Sequence, residues 1–76
     1  MGESGTLSIL LVEDDPALEA LVSLGLKFEQ FAVATAENGT LGLQLFEEYR
    51  PDLVILDWML PGIDGLTLCR MIRAQS

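Results

Sequence analysis

The stretch that decides the fold is residues 51–65, PDLVILDWMLPGIDG. Its first part, DLVILD at 52–57, is a nearly continuous apolar run with the β-branched Val54 and Ile55 at its centre. Such a run is typical of a strand that is buried on both faces of a parallel sheet. The strand ends in Asp57, so it is predicted to carry a carboxylate to the edge of the sheet.

The rest of the chain predicts strands that alternate with helices. Apolar or β-prone runs predict strands, and segments with a spacing of three and four residues predict helices. Strands are predicted at 7–12 (LSILLV), 31–35 (FAVAT) and 52–57, and helices at 16–29, at 40–49 and from Asp64-Gly65 to the end of the chain. The order βαβαβα favours a parallel, doubly wound α/β sheet with right-handed crossovers.

Each predicted helix has an apolar face and a start signal, which for the third helix is Asp64 as a candidate cap. Asp15, which stands before Pro16, and Asn38 are candidate N-caps. The predicted faces are Leu18, Leu21, Val22, Gly25 and Phe28 in the first helix, Gly42, Leu45, Phe46 and Tyr49 in the second, and Leu68, Cys69 and Ile72 in the third.

Acidic residues follow two of the predicted strands. Glu13 and Asp14 come directly after the first strand, and Asp57 closes the third. Ligands in such sheets bind outside the carboxyl ends of the strands, so three carboxylates converge there if the two strands are neighbours. Either one of the three takes up a proton or a hard cation lies among them, and an all-oxygen ligand set favours Mg²⁺. A carboxylate beside Mg²⁺ can attack phosphorus, which makes Asp57 a candidate nucleophile.

The composition narrows the possible functions. The 76 residues contain 12 acidic and 4 basic residues and no His, which gives a formal net charge of −8. Cys69 is the only cysteine, so disulfides within the chain, Cys/His zinc sites and His-dependent triads are excluded. The acidity argues against direct nucleic-acid binding. The absence of a long apolar run or signal peptide argues against a membrane partner and favours a reducing cytoplasm.

Three motifs resemble the receiver domain of two-component response regulators. They are VEDD at 12–15, ENG at 37–39 and the stretch at 51–65. The resemblance covers residues from about 7 to 73. It implies a flavodoxin-like (CheY-like) fold, here truncated to three strands in the order 2-1-3, with a partial receiver domain at 7–76 after a disordered or tag-like lead at 1–6.

The resemblance also implies roles for individual residues. Glu13 and Asp14 match the acidic pair that binds Mg²⁺, Asp57 matches the phosphoacceptor, and Met59 matches the residue whose backbone carbonyl binds the metal. Pro61 and Gly65 match the loop that shapes the site. The implied partner is a sensor histidine kinase, and the implied activity is acceptance of a phosphoryl group rather than enzymatic turnover.

The sequence LDWML at 56–60 and Glu at position 13 are most similar to receivers of transcription factors with winged-helix output domains. DNA binding would then belong to an output domain that this segment lacks.

The chain also departs from the family pattern. Receivers typically run to roughly 120 residues, a common domain size. The two further strands and helices supply a Thr or Ser and a Lys that contact the phosphoryl group, and Lys27, in the middle of the first helix, does not match that Lys. Switching is therefore expected to be impaired. Gln30 stands in a turn where the family often has Gly.

Two other functions fit parts of the sequence. A phosphatase of the haloacid dehalogenase type also uses a strand-end Asp and Mg²⁺, but it places a second Asp two residues on, where this chain has Met59. Alternatively, the chain is a self-associating half-domain without phosphoryl transfer, which dimerises through the exposed edge of its third strand.

Overall fold

The computed structural model describes residues 6–56 and 65–75. Within these ranges three strands alternate with three helices, as the sequence predicts. The elements are β1 (Ser8–Val12), α1 (Pro16–Phe28), β2 (Ala32–Ala36), α2 (Gly39–Tyr49), β3 (Leu53–Leu56) and α3 (Gly65–Gln75). The observed bounds differ from the predicted ones by at most one residue at each end. Residues 1–5 of the predicted lead at 1–6 lie outside the described residues.

The strands form one parallel sheet in the order β2-β1-β3. β1 is the central strand, and its four residues from Ile9 to Val12 are buried. Each is apolar, as expected for a strand covered on both faces. The predicted strand order 2-1-3 is therefore confirmed.

The main core lies between the sheet and the pair α2 and α3. Its buried members are Leu10, Val12, Ala36, Phe46 and Leu68, and Ile72 packs against them. Gly42 lets α2 approach the sheet closely. Most of the predicted faces of α2 and α3 are thus confirmed, but Tyr49 is exposed because it lies at the last residue of α2.

The predicted apolar face of α1 does not face the sheet, so this prediction is wrong. Leu18, Leu21 and Phe28 are exposed, and Ser23 is the buried residue of this helix. Periodicity identifies residues that share a face, but it does not show which face meets the sheet.

Local signals set the ends of the helices. The Asp15 carboxylate accepts hydrogen bonds from the backbone N–H groups of Ala17 (2.9 Å) and Leu18 (3.3 Å), and Asn38 Oδ1 accepts one from Leu41 N–H (2.8 Å). The predicted N-caps Asp15 and Asn38 are confirmed, and the predicted cap Asp64 lies outside the described residues. The longest described helix, α1, has 13 residues, too few to cross a bilayer.

Candidate functional site

Glu13 and Asp14 directly follow the last residue of β1, so they lie at the end of the sheet where the parallel strands have their carboxyl termini, as predicted. The backbone N–H of Glu13 donates to the Ala36 carbonyl at 2.9 Å, so the hydrogen bonding between β1 and β2 continues one residue beyond the strand. This bond fixes the backbone from which the acidic pair projects. The backbone position of Glu13 therefore follows from strand pairing, and Asp14 lies in the short turn between β1 and α1.

The Glu13 carboxylate stabilises the turn into α1. Its Oε2 atom accepts a hydrogen bond from the backbone N–H of Asp15 at 3.1 Å. Glu13 is half-buried, whereas Asp14 is exposed. One carboxylate is thus partly held by the turn and the other is open to solvent at the start of α1, where the helix dipole favours negative charge.

An open cleft of about 120 Å³ lies beside this pair, between the ends of β1 and β2. Its lining includes four carboxylate side chains: Glu13, Asp14, Glu19 and Glu37. Glu37 directly follows β2, just as Glu13 directly follows β1, so both lie at the carboxyl ends of parallel strands. Glu19 and Thr35 carry no sequence signal for this site. They enter the cleft through the path of α1 and the register of β2.

Most of the predicted site residues that follow β3 lie outside the described residues. Asp57, Met59 and Pro61 are among residues 57–64, which lie outside the described ranges, and Gly65 is the first residue of α3. Within residues 6–56 and 65–75, no three potential ligand side chains are grouped so that they could hold a metal ion. The described part of the site is therefore the acidic pair and its cleft.

The available donor set is compatible with Mg²⁺. Glu13 and Asp14 offer carboxylate oxygens, the ligands that Mg²⁺ prefers, and Asp14 is open to solvent. One oxygen of Glu13 is engaged by the Asp15 N–H, which leaves its second oxygen for an ion. Two carboxylates with room for water suit an ion that usually keeps several waters.

The chain is similar to response regulators. The model of the response regulator receiver domain matches residues 9–76. The transcriptional regulatory protein AfsQ1 of Streptomyces coelicolor is 53% identical over 66 residues, which are 87% of this chain and 29% of that protein. The DNA-binding response regulator MtrA of Mycolicibacterium smegmatis is 46% identical over 68 residues, 90% of this chain and 30% of MtrA. The chain thus spans less than a third of these relatives.

Solved structures show the same fold. The BeF3-activated receiver domain of Klebsiella pneumoniae RstA superposes with a TM-score of 0.87 at 40% identity, covering 91% of this chain and 59% of that one. The chemotaxis protein CheY4 of Vibrio cholerae gives a TM-score of 0.89 at 27% identity, covering 93% and 59%. The fold is therefore flavodoxin-like, as the resemblance implied. The names of AfsQ1 and MtrA agree with the predicted likeness to receivers of transcription factors.

Proposed function

The chain belongs to the response regulator receiver domain family, and on that premise we propose that it accepts a phosphoryl group from a sensor histidine kinase on Asp57. Glu13, Asp14, Asp57 and the backbone carbonyl of Met59 would hold Mg²⁺. The domain would be a signalling acceptor in the cytoplasm and not a turnover enzyme. If this chain is part of a longer protein like these relatives, its phosphorylation would regulate transcription through another part of that protein.

One relationship carries the proposal. Val12, the residue before Glu13, lies in register with Leu56, the residue before Asp57. β1 and β3 are neighbours and parallel, so the chain leaves both strands at the same edge of the sheet. This pairing is the condition under which the two acidic motifs can serve one site.

The proposed reaction is a transfer between two side chains. An Asp57 carboxylate oxygen attacks phosphorus, the P–N bond to the kinase histidine breaks, and the imidazole nitrogen keeps the bonding electron pair. The product is an acyl phosphate on Asp57. Bound Mg²⁺ would supply neutralisation of the charge on the phosphoryl oxygens. Glu13 and Asp14 would orient the ion while the Asp15 N–H holds Glu13 in place.

The test is phosphorylation of the purified chain by a small acyl phosphate or phosphoramidate with Mg²⁺, followed by intact mass. We expect one phosphoryl group on the wild type and none on Asp57→Asn. The matched control is Asp52→Asn, at the opposite end of β3, which keeps an acceptor oxygen for Ser8. Failure of the wild type in a chain shown to be folded would contradict the proposal, as would equal labelling of Asp57→Asn.

A second candidate is self-association through β3 without phosphoryl transfer. Among the described residues β3 has a strand neighbour on one side only, and Leu53 is exposed. An apolar parallel strand at an edge offers unpaired backbone groups to a partner. Two copies would then form a six-stranded sheet with antiparallel β3 strands. A stable, folded monomer at micromolar concentration, measured by light scattering, would contradict this candidate.

A further inference from the structure

β2 is the edge strand of the sheet on the side away from β3. Its bonds to β1 use alternate residues, of which Ala32 donates its N–H to the Leu7 carbonyl at 2.9 Å. Neighbouring residues of a strand direct their N–H and C=O groups to opposite sides, so Val33 and Thr35 direct theirs away from β1. The outer edge of β2, defined by the backbone of Val33 and Thr35, therefore offers donors and acceptors to another strand.

A complete receiver sheet has the same edge. In the flavodoxin-like strand order 2-1-3-4-5 further strands lie beyond β3, so β2 stays the outermost strand. Sheet edges are commonly protected by charged residues or Pro, and the sequence AVATA of Ala32–Ala36 contains neither. Among the described residues no strand pairs with this edge.

An apolar cavity of about 180 Å³ lies beside the outer edge of β2, between the sheet and the last turns of α2. The small side chains of Ala32 and Ala34 leave this space, and Leu45 and Tyr49 of α2 form its other wall. Val33 also lines the cavity, so the cavity and the outward backbone of β2 are adjacent. An added strand would therefore place a side chain at the cavity.

The size of the cavity specifies that side chain. An apolar protein cavity of about 150 Å³ binds benzene, so this one has room for the ring of a Phe side chain. The β2 strand of a second copy would not fill it, because AVATA has no side chain larger than Val. The matching occupant is an extended segment of another protein that carries an aromatic side chain.

The other end of β2 specifies the charge of the occupant. Thr35 lines the acidic cleft at the carboxyl ends of β1 and β2, together with Glu19 and Glu37. The cavity lies on the α2 side of the sheet, and the cleft lies on the α1 side, about three positions further along β2. Residues an odd number of positions apart in a strand point to opposite faces, so a strand with its aromatic residue in the cavity presents the residue about three positions away to the cleft. Lys or Arg at that position suits the carboxylates.

We propose that the outer edge of β2 binds an extended segment of a partner protein as an additional strand, with an aromatic side chain in the cavity and a basic side chain at the cleft. Main-chain hydrogen bonds to Val33 and Thr35 supply affinity, and the two side-chain sites supply specificity. The proposal does not rest on phosphoryl transfer, because neither Asp57 nor Mg²⁺ takes part.

The probes are two short peptides of alternating Thr and Val, blocked at both ends and labelled with fluorescein. Each carries Phe and, about three positions away, Lys, and the two peptides have these residues in opposite chain order. Fluorescence anisotropy with the full chain, without Mg²⁺, measures binding. We expect saturable binding of at least one peptide, with a dissociation constant that rises about tenfold or more when Ala replaces Phe. It should rise about threefold or more when Glu replaces Lys.

Two variants of the chain test the edge and the cavity separately. Thr35→Pro removes the outward N–H and no bond to β1, at a place where edge strands accept Pro. Ala32→Leu fills the cavity. Each should raise the dissociation constant about tenfold or more. The matched controls are Thr35→Val, which keeps the N–H, and Ala20→Leu on the exposed side of α1, which should both bind like the wild type. Far-UV circular dichroism checks that each variant is folded.

Three results would overturn the proposal. The first is the absence of saturable binding up to millimolar peptide. The second is binding that a folded Thr35→Pro or Ala32→Leu variant leaves unchanged, or that is insensitive to the Phe or the Lys of the peptide, which would place the peptide elsewhere, such as at the edge of β3. The third is a wild-type dimer in light scattering that Thr35→Pro dissociates, which would assign the outer edge of β2 to a second copy.

Discussion

Gly42 lies so close to Val12 that a β-carbon at position 42 would be 2.9 Å from Val12 Cγ2 and 3.2 Å from Cγ1. Carbon atoms that pack without strain are about 3.5–4.0 Å apart. Val12 is fully buried at the end of the central strand, directly before Glu13. The contact between α2 and β1 therefore supports the strand end that carries the acidic pair.

Gly42→Ala is expected to lower the free energy of unfolding by about 1–2 kcal/mol, because overpacking exceeds the gain in helix propensity. Gly25→Ala is the matched control on α1, where an added methyl group would meet nothing within 4 Å. It should raise stability by about 0.5–1 kcal/mol. Urea denaturation of both variants at one low protein concentration measures the difference. Equal effects at the two glycines would contradict the close approach of α2.

Gln30→Gly is expected to stabilise the fold by about 0.5–1 kcal/mol. Gln30 has a φ of 71°, in the left-handed region that costs an L-residue about 1–2 kcal/mol. Part of this gain is offset by the greater freedom of Gly in the unfolded chain. Thermal unfolding of the variant should show a higher midpoint, and an unchanged or lower midpoint would contradict the prediction.

Arg50→Gly tests whether the gain at Gln30 comes from the backbone. Arg50 is also left-handed, with a φ of 47°, but its side chain has contacts to lose. Its guanidinium lies 5.0 Å from the centre of the Phe46 ring and donates to the Gln75 carbonyl at 3.2 Å. We therefore expect Arg50→Gly to stabilise less than Gln30→Gly, or to destabilise, in the same thermal measurement.

Asp52 joins the starts of β1 and β3. Its Oδ2 atom accepts hydrogen bonds from the Ser8 backbone N–H at 2.8 Å and from Ser8 Oγ at 3.2 Å, and its own N–H donates to the Ser8 carbonyl at 2.9 Å. Asp52→Ala should cost about 1 kcal/mol, because the group is exposed and water replaces part of the bonding. Asp52→Asn should cost less, since an acceptor oxygen remains. If urea denaturation shows Asp52→Asn to be less stable than Asp52→Ala, this role of Asp52 is contradicted.

Local sequence signals predict much of this fold. The strands at Ser8–Val12 and Leu53–Leu56 follow from apolar runs, and the starts of α1 and α2 follow from Asp15 and Asn38. These signals act over a few residues, through side-chain caps and the burial of a strand, so they can be read without the rest of the fold. The carboxyl-end rule for parallel sheets then places Glu13 and Asp14.

Other features depend on packing between elements. The direction of α1 could not be predicted from its spacing, because a helix with apolar residues on several sides offers more than one face to the sheet. Glu19 and Thr35 reach the cleft because β2 pairs with β1 in one particular register and α1 crosses above it. Such relationships arise between residues far apart in the chain, and neither periodicity nor a motif encodes them.

The acidic pair should control the affinity for Mg²⁺. Glu13→Gln and Asp14→Asn each remove one charge, and Gln keeps an oxygen that can accept the Asp15 N–H, so the turn into α1 should persist. Because ligand charge sets cation affinity, each change should weaken binding by about tenfold or more. The readout is the fluorescence of Trp58, the only tryptophan and the sequence neighbour of Asp57, during titration with Mg²⁺.

Glu48→Gln, which removes an exposed charge from α2, is the control for the lower overall charge and should titrate like the wild type. Asp57→Asn should abolish the saturable change if the proposed ligand set is right. If Glu13→Gln and Asp14→Asn bind Mg²⁺ as tightly as Glu48→Gln does, the ion binds elsewhere and the acidic pair acts only at the start of α1. Weaker Mg²⁺ binding in both variants, with Glu48→Gln unaffected, would instead place the metal at the end of β1. There Glu13 and Asp14 directly follow Val12, which is paired in register with Leu56, the residue before Asp57.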